Sequence, residues 1–113
     1  MVNYDVLRID LLIRHIDIIK NDIKNFKYEE FSNSDLLVRA TCFSLVQIGE
    51  QMNKLEENYK ELYPNIPWTA ARKMRNLIVH VYSKVDAAQI WQTATKDLDE
   101  LKTMFNEVKS TIM

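Results

Sequence analysis

The sequence predicts an all-α fold, an antiparallel four-helix bundle, on three observations. Its 113 residues include one Gly and two Pro, too few for a sheet protein, which needs a turn about every ten residues. Apolar residues recur over long stretches at steps of three and four, the helix period. The stretches are interrupted at only three places: residues 27–33, the Pro64-Asn65-Ile66-Pro67 segment, and Asp86. A hydrophobic fraction of 47% with 27% charged residues is an ordinary folded mixture and excludes disorder. The length fits one domain over residues 1–113 with a real core.

The first helix is expected over residues 3–26, with Ile9, Leu12, Ile16, Ile19, Ile23 and Phe26 as its core stripe. A second apolar line, Tyr4, Leu11 and Ile18, lies about 200° away around the helix. One core does not need it, so it faces either a second layer or a partner chain. The linker follows, and Ser32 with Asp35 reads as a capping box for the second helix. That helix is expected over residues 35–63, with Leu45, Ile48, Met52, Leu55, Tyr59 and Leu62 inside. Gly49 in its middle costs about 1 kcal/mol against Ala, which points to a close helix–helix approach.

The two prolines end that helix, and Pro67 suits the first turn of a third, over residues 68–84. Asp86 with Gln89 makes a capping box for the fourth, with Val85 and Ile90 as its staple. Its stripe is Ile90, Ala94, Leu98, Leu101, Phe105, Val108 and Ile112. Trp68 and Trp91 read as packing anchors, the methionines as core filler, and His15 as a surface residue.

Composition narrows the function. The net charge of −1 gives no global basic field, so any nucleic-acid binding must be local. The lone Cys42 cannot form an internal disulfide and reads as a small buried hydrophobe in a reducing compartment. No apolar stretch approaches the roughly 20 residues of a membrane span. Residues 1–20 mix charge with apolar side chains and do not read as a signal peptide. The expectation is a cytoplasmic protein without membrane partners.

The third helix stands out chemically. Between Leu62 and Val85 there is no acid, whereas Arg72, Lys73, Arg75 and Lys84 are present. At about 100° per residue, Met74, Leu77, Ile78, Val81 and Val85 gather on a core side. The opposite side collects Arg72, Arg75, Asn76, Val79, His80 and Tyr82. Cations, an amide, an imidazole and a phenol together suit a partly desolvated cleft for a phosphate. Asn76 and His80 are one turn apart, so the amide could fix the imidazole tautomer. Arg75 and His80 are about 140° apart on the wheel. Two copies of this helix across a two-fold axis would converge them better than one. No residues with metal-ligand spacing are visible.

The segment Arg75-Asn76-Leu77-Ile78-Val79-His80-Val81-Tyr82 is similar to the Arg-x4-His-x-Tyr signature of the HepT-like branch of HEPN-domain proteins. Ile48-Gly49-Glu50, Tyr63-Pro64-Asn65-Ile66-Pro67-Trp68, Val85-Asp86, Ile90-Trp91 and Asp97-Leu98 resemble that branch too. The resemblance covers residues 36–105 well and the first helix only in pattern. Val81 departs from it, since many members carry Asp there.

The resemblance implies a dimerising helical bundle and a metal-independent endoribonuclease toxin. RNA would supply its own 2′-OH nucleophile, with His80 as acid and base and Arg75 stabilising the phosphate. Asn76 and Arg72 would support them. It also implies a small nucleotidyltransferase antitoxin that uses ATP and Mg²⁺ to add AMP to Tyr82 and silence the toxin. Cleavage itself would need no cofactor. Two other readings stay open: a non-catalytic binding module for such a nucleotidyltransferase, and a structural all-α dimer.

Overall fold

A computed structural model describes residues 2–113. It is helical throughout, with no strand among the described residues. Four long helices carry the fold: α1 (Tyr4–Ile23), α3 (Asp35–Tyr59), α4 (Trp68–Val81) and α6 (Leu98–Ile112). Two short helices, α2 (Tyr28–Ser32) and α5 (Ala87–Gln92), fill the connections. α1 packs on α3 and α6, while α4 packs mainly on α3.

α1 starts where Asn3 accepts hydrogen bonds from the backbone N–H groups of Asp5 and Val6 at 3.1 and 3.2 Å. Such caps satisfy donors that a helix start leaves free. Ile9, Leu12, Ile16, Ile19 and Ile23 are buried as expected. Phe26 is not part of that stripe. The helix ends at Ile23, and Phe26 lies beyond it, 41% exposed. The second line stays uncovered in the single chain, with Tyr4 and Leu11 exposed and Ile18 half-buried.

The linker is more ordered than a linker. It folds into α2, whose Phe31 is fully buried with its ring 5.0 Å from that of Trp91. The cap of α3 is Ser34, not Ser32: the Ser34 hydroxyl accepts from Leu37 N–H at 3.1 Å, whereas Ser32 donates back to Glu29 O within α2. α3 buries Leu45, Ile48, Met52 and Leu55. Tyr59 is half-buried, and its hydroxyl donates to Asp5 at 2.7 Å. Leu62 was expected in this stripe, but α3 has ended by then and Leu62 is 72% exposed.

Pro67 stands at the cap of α4, one residue before its first turn. Trp68 is buried, donates its indole N–H to Tyr63 O at 3.1 Å, and meets Phe105 edge-on. The fourth expected helix is α5 and α6 joined by a wide π-turn over Thr93–Asp97. Ile90, Ala94 and Leu98 follow two successive steps of four, slightly more than the α-helical turn. The π-turn absorbs that drift and keeps all three buried with Leu101, Phe105 and Val108. Asp86 caps α5 by accepting from Ala88 N–H at 2.9 Å. No helix is long and apolar enough to cross a membrane among the described residues.

Candidate active site

The site is set by how α4 docks on α3. Gly49 is where they come closest: a Cβ there would sit 2.8 Å from Arg75 Cβ and 3.2 Å from its Cγ. The missing side chain lets the stem of Arg75 lie against the α3 backbone. The next residue, Glu50, then receives Arg75 Nε at 2.6 Å. One turn and more further along, Arg72 Nη1 contacts both carboxylate oxygens of Glu56, at 2.6 and 2.8 Å. Both pairs are only partly exposed, so solvent screens them less than open surface pairs.

These pairs revise the basic island of the third helix. Two of its four cations are matched by carboxylates reaching over from α3, leaving Lys73 and Lys84 on the exposed surface. Arg75 Nη1 also donates to Asn76 Oδ1. The Asn76 oxygen is thus held by Arg75 and not by His80, contrary to the expected Asn76–His80 contact. Arg75 is braced on two sides, while its Nη2 makes no hydrogen bond among the described residues.

His80 is exposed near the end of α4 and makes no side-chain hydrogen bond among the described residues. Arg75 is paired to Glu50 and Asn76, and no hydrogen bond joins it to His80 among the described residues. Tyr82 lies past the end of α4, in a 3-10 turn over Tyr82–Lys84, and is 39% exposed. The wheel placed it beside Arg75, but Val81 leaves helical geometry at φ −142°, ψ 48°, so the constant 100° step fails before Tyr82. Its surroundings are those of α3: partial burial holds its phenol above the usual range, with Cys42 and Asp35 adding to the rise and Arg39 opposing it.

Val81, expected in the core, is 37% exposed, and Leu77 is only half-buried. Among the described residues α4 packs chiefly on α3, which leaves its other flank less covered. An apolar groove of about 390 Å³ remains there between α4 and α6, over Ile48, Gly49 and Met52. Arg75, His80 and Tyr82 do not line it. No cluster of His, Cys, Asp and Glu able to hold a metal occurs among the described residues.

Two other residues depart from or extend the sequence reading. His15 is not a plain surface residue: it is half-buried, with Nδ1 3.2 Å from Ser44 Oγ and its ring edge-on to Phe43. Cys42 is buried as expected, and burial pushes its thiol up to about 11. Glu50 and Glu56 were missed as positioning residues. The available signal was the placement of Gly49 and Glu50 together in the middle of a long helix.

The chain is similar in sequence to known proteins. The family model described as "Ribonuclease HepT-like" matches residues 12–108. "Putative RNase MJ1216" of Methanocaldococcus jannaschii is 34% identical over 97 residues, covering 86% of this chain and 80% of that protein. "Probable ribonuclease HepT" of Thermococcus cleftensis is 29% identical over 94 residues, covering 83% and 86%. "Putative RNase TTE0752" of Caldanaerobacter subterraneus is 28% identical over 97 residues, covering 86% and 87%. No solved structure matches the chain. With its Arg75-to-Tyr82 segment braced by Gly49 and Glu50 on an all-helical bundle, and a family match over nearly its whole length, the chain belongs to the HepT-like ribonuclease family.

Proposed function

We propose that this protein is an endoribonuclease toxin that cuts RNA without a metal ion, as a homodimer in the cytoplasm. The observation that carries the reading is a guanidinium fixed by Glu50 and Asn76 on the same short segment as an exposed imidazole, within a family of ribonucleases. RNA brings its own nucleophile. His80 accepts the proton of the 2′-OH, the 2′ oxygen attacks phosphorus, and the 5′ oxygen leaves as an alcohol after taking a proton from imidazolium. The products are a cyclic phosphate and a 5′-hydroxyl. Arg75 meets the charge that builds on the phosphate, and its bracing means no reorganisation is needed at that moment. Arg72, matched to Glu56, fixes the α3–α4 docking that sets Arg75. Asn76 acts through Arg75.

Dimerisation supports this chemistry because a second copy of α4 across a two-fold brings another Arg75 and His80 to one cleft. The uncovered Tyr4, Leu11 and Ile18 line supplies a surface for it. Control falls to a small nucleotidyltransferase that, with ATP and Mg²⁺, adds AMP to Tyr82. The added bulk and negative charge then exclude RNA.

The test is cleavage of single-stranded RNA by purified protein in EDTA, with light scattering for the assembly state. Arg75→Ala and His80→Ala should each lower kcat/KM by orders of magnitude. Cleavage that EDTA abolishes, or that survives His80→Ala, overturns the mechanism. A monomer at tens of micromolar overturns the dimer.

A further inference from the structure

α3 and α4 run antiparallel, and three contacts fix their register: Arg72 on Glu56, Arg75 on Glu50, and the stem of Arg75 over Gly49. Followed to the end of α4, this register leads along α3 from Gly49 toward Cys42 and Arg39. The electrostatic neighbours of Tyr82, Cys42 and Arg39 among them, agree. Arg39, Phe43, Val46 and Glu50 are spaced by four, three and four residues, so they form one stripe of α3 beside α4. The stripe runs about 16 Å at 1.5 Å per residue and ends at the Glu50–Arg75 pair. Phe43 is 61% exposed, unusual for a large aromatic ring on a helix that otherwise packs on both sides. Among the described residues Arg39 is held only by Asp35 one turn away, in an exposed pair at 2.8 Å that a phosphate can replace.

We propose that this stripe is a nucleotide subsite beside the cleavage site. Phe43 stacks an unpaired base of the RNA, and Arg39 holds a backbone phosphate further along the strand from the one at Arg75. An exposed aromatic ring, here edge-on to His15, on a stripe that has Arg39 at one end and Arg75 at the other suits the sequence-tolerant recognition of single strands, which combines base stacking with phosphate contacts. A stacked base needs to be free of a partner, so the subsite selects single-stranded RNA at this position. A second protein copy is the less favoured occupant. The stripe is short, carries charge at both ends, and is continuous with the phosphate site, whereas the long uncharged apolar line lies on α1.

The subsite rests on the ribonuclease reading, so binding and cleavage are measured separately. Binding uses the full chain carrying His80→Ala, with a fluorescein-labelled single-stranded oligoribonucleotide followed by anisotropy. Adding Phe43→Ala should weaken binding roughly five- to hundredfold, the range for one lost stacking partner, and Phe43→Trp should restore it. Arg39→Ala should weaken binding and reduce the salt slope by about 0.7, the value for one phosphate contact on a single strand. A blunt RNA duplex of the same sequence should not distinguish Phe43 from Ala. Light scattering should give every variant the parent's mass. The subsite is overturned if the parent binds no RNA, if Phe43→Ala binds like the parent, if duplex binding falls equally, or if the loss accompanies a smaller assembly. The last result makes Phe43 a subunit contact. RNA bound through Phe43 but never cut by the His80-containing protein leaves the subsite standing and removes the nuclease reading. RNA cut at the wild-type kcat/KM by Phe43→Ala does the reverse.

Discussion

Replacing Gly49 by Ala separates the two roles this position could have. In an isolated helix the change would stabilise by about 1 kcal/mol, since Ala is the best helix former and Gly among the worst. Here the new methyl carbon would lie 2.8 Å from Arg75 Cβ, well inside the optimal carbon–carbon separation of about 3.5–4.0 Å. The obstructing atom is not the free end of a side chain. It is fixed to the α4 backbone, so the helix itself must move. Overpacking of this kind costs about 1–3 kcal/mol. Offset by the propensity gain, the expected net change is a destabilisation of about 1 kcal/mol, or about 4 °C in Tm.

Activity should respond more strongly than stability. Moving α4 off α3 lengthens the Arg75–Glu50 contact, now 2.6 Å, and a displacement of about 1 Å at a catalytic group can cost roughly a hundredfold. Urea denaturation followed by circular dichroism, at one fixed protein concentration because a dimer's stability depends on it, gives the first number. Single-turnover cleavage of RNA gives the second. Gly49→Ala that gains about 1 kcal/mol and cuts RNA like wild type refutes the reasoning, because it would show that propensity and not close approach governs this position.

Glu50→Gln keeps the shape but removes the charge that holds Arg75, and should lower kcat/KM about tenfold while leaving the denaturation midpoint nearly unchanged; wild-type cleavage would refute it. Burial first, and Arg14 second, hold the imidazole of His15 below its usual 6.5, so the unfolded chain binds that proton more readily. Stability should therefore be level above pH about 6.5 and fall as the pH drops below it, and His15→Gln should flatten that part of the urea-midpoint profile. The Cys42 thiol, buried and pushed up to about 11, should react with a disulfide reagent at pH 8 only as fast as the protein opens; rapid labelling of native protein contradicts this. Tyr82→Phe should fold and dimerise normally and resist silencing by the cognate nucleotidyltransferase, with mass spectrometry showing no AMP adduct; an adduct elsewhere, or full silencing of the variant, overturns the assignment of Tyr82.

Much of the architecture could be read along the chain because each helix carries its own period. The buried line from Ile9 to Ile23 and the line from Ile90 to Val108 both appear in the structure where the spacing put them. The errors fall where a helix stops being regular. Phe26 and Leu62 were assigned to stripes that the helices do not extend far enough to use. Ser32 has the right residue type for a cap, but α2 claims it, and Ser34 does the capping. Tyr82 was turned to the wrong neighbour because Val81 departs from helical backbone geometry just before it.

The site was legible in a different way from the fold. The residues proposed to carry the chemistry, Arg75, His80 and Tyr82, could be picked out from the mixture of side chains on one helix, because such a mixture is not that of a plain solvent face. What holds them could not, because it is a relation between helices. A helical wheel reports angle within one helix and says nothing about which turn of α3 lies against which turn of α4. That register turns a basic patch into a set of matched pairs, with Arg72 on Glu56 and Arg75 on Glu50. It also changes what the charge is for. A free cluster of cations would attract any polyanion, whereas here Arg72 and Arg75 are each matched by a carboxylate of α3. A guanidinium neutralised on its Nε side and braced at Nη1 attracts little at a distance, yet presents a fixed edge to a phosphate that has already arrived. On the proposed reading, bringing RNA there falls to groups open to solvent, which is the physical case for Arg39, held by Asp35 in an exposed pair, and Phe43 on the neighbouring turns of α3.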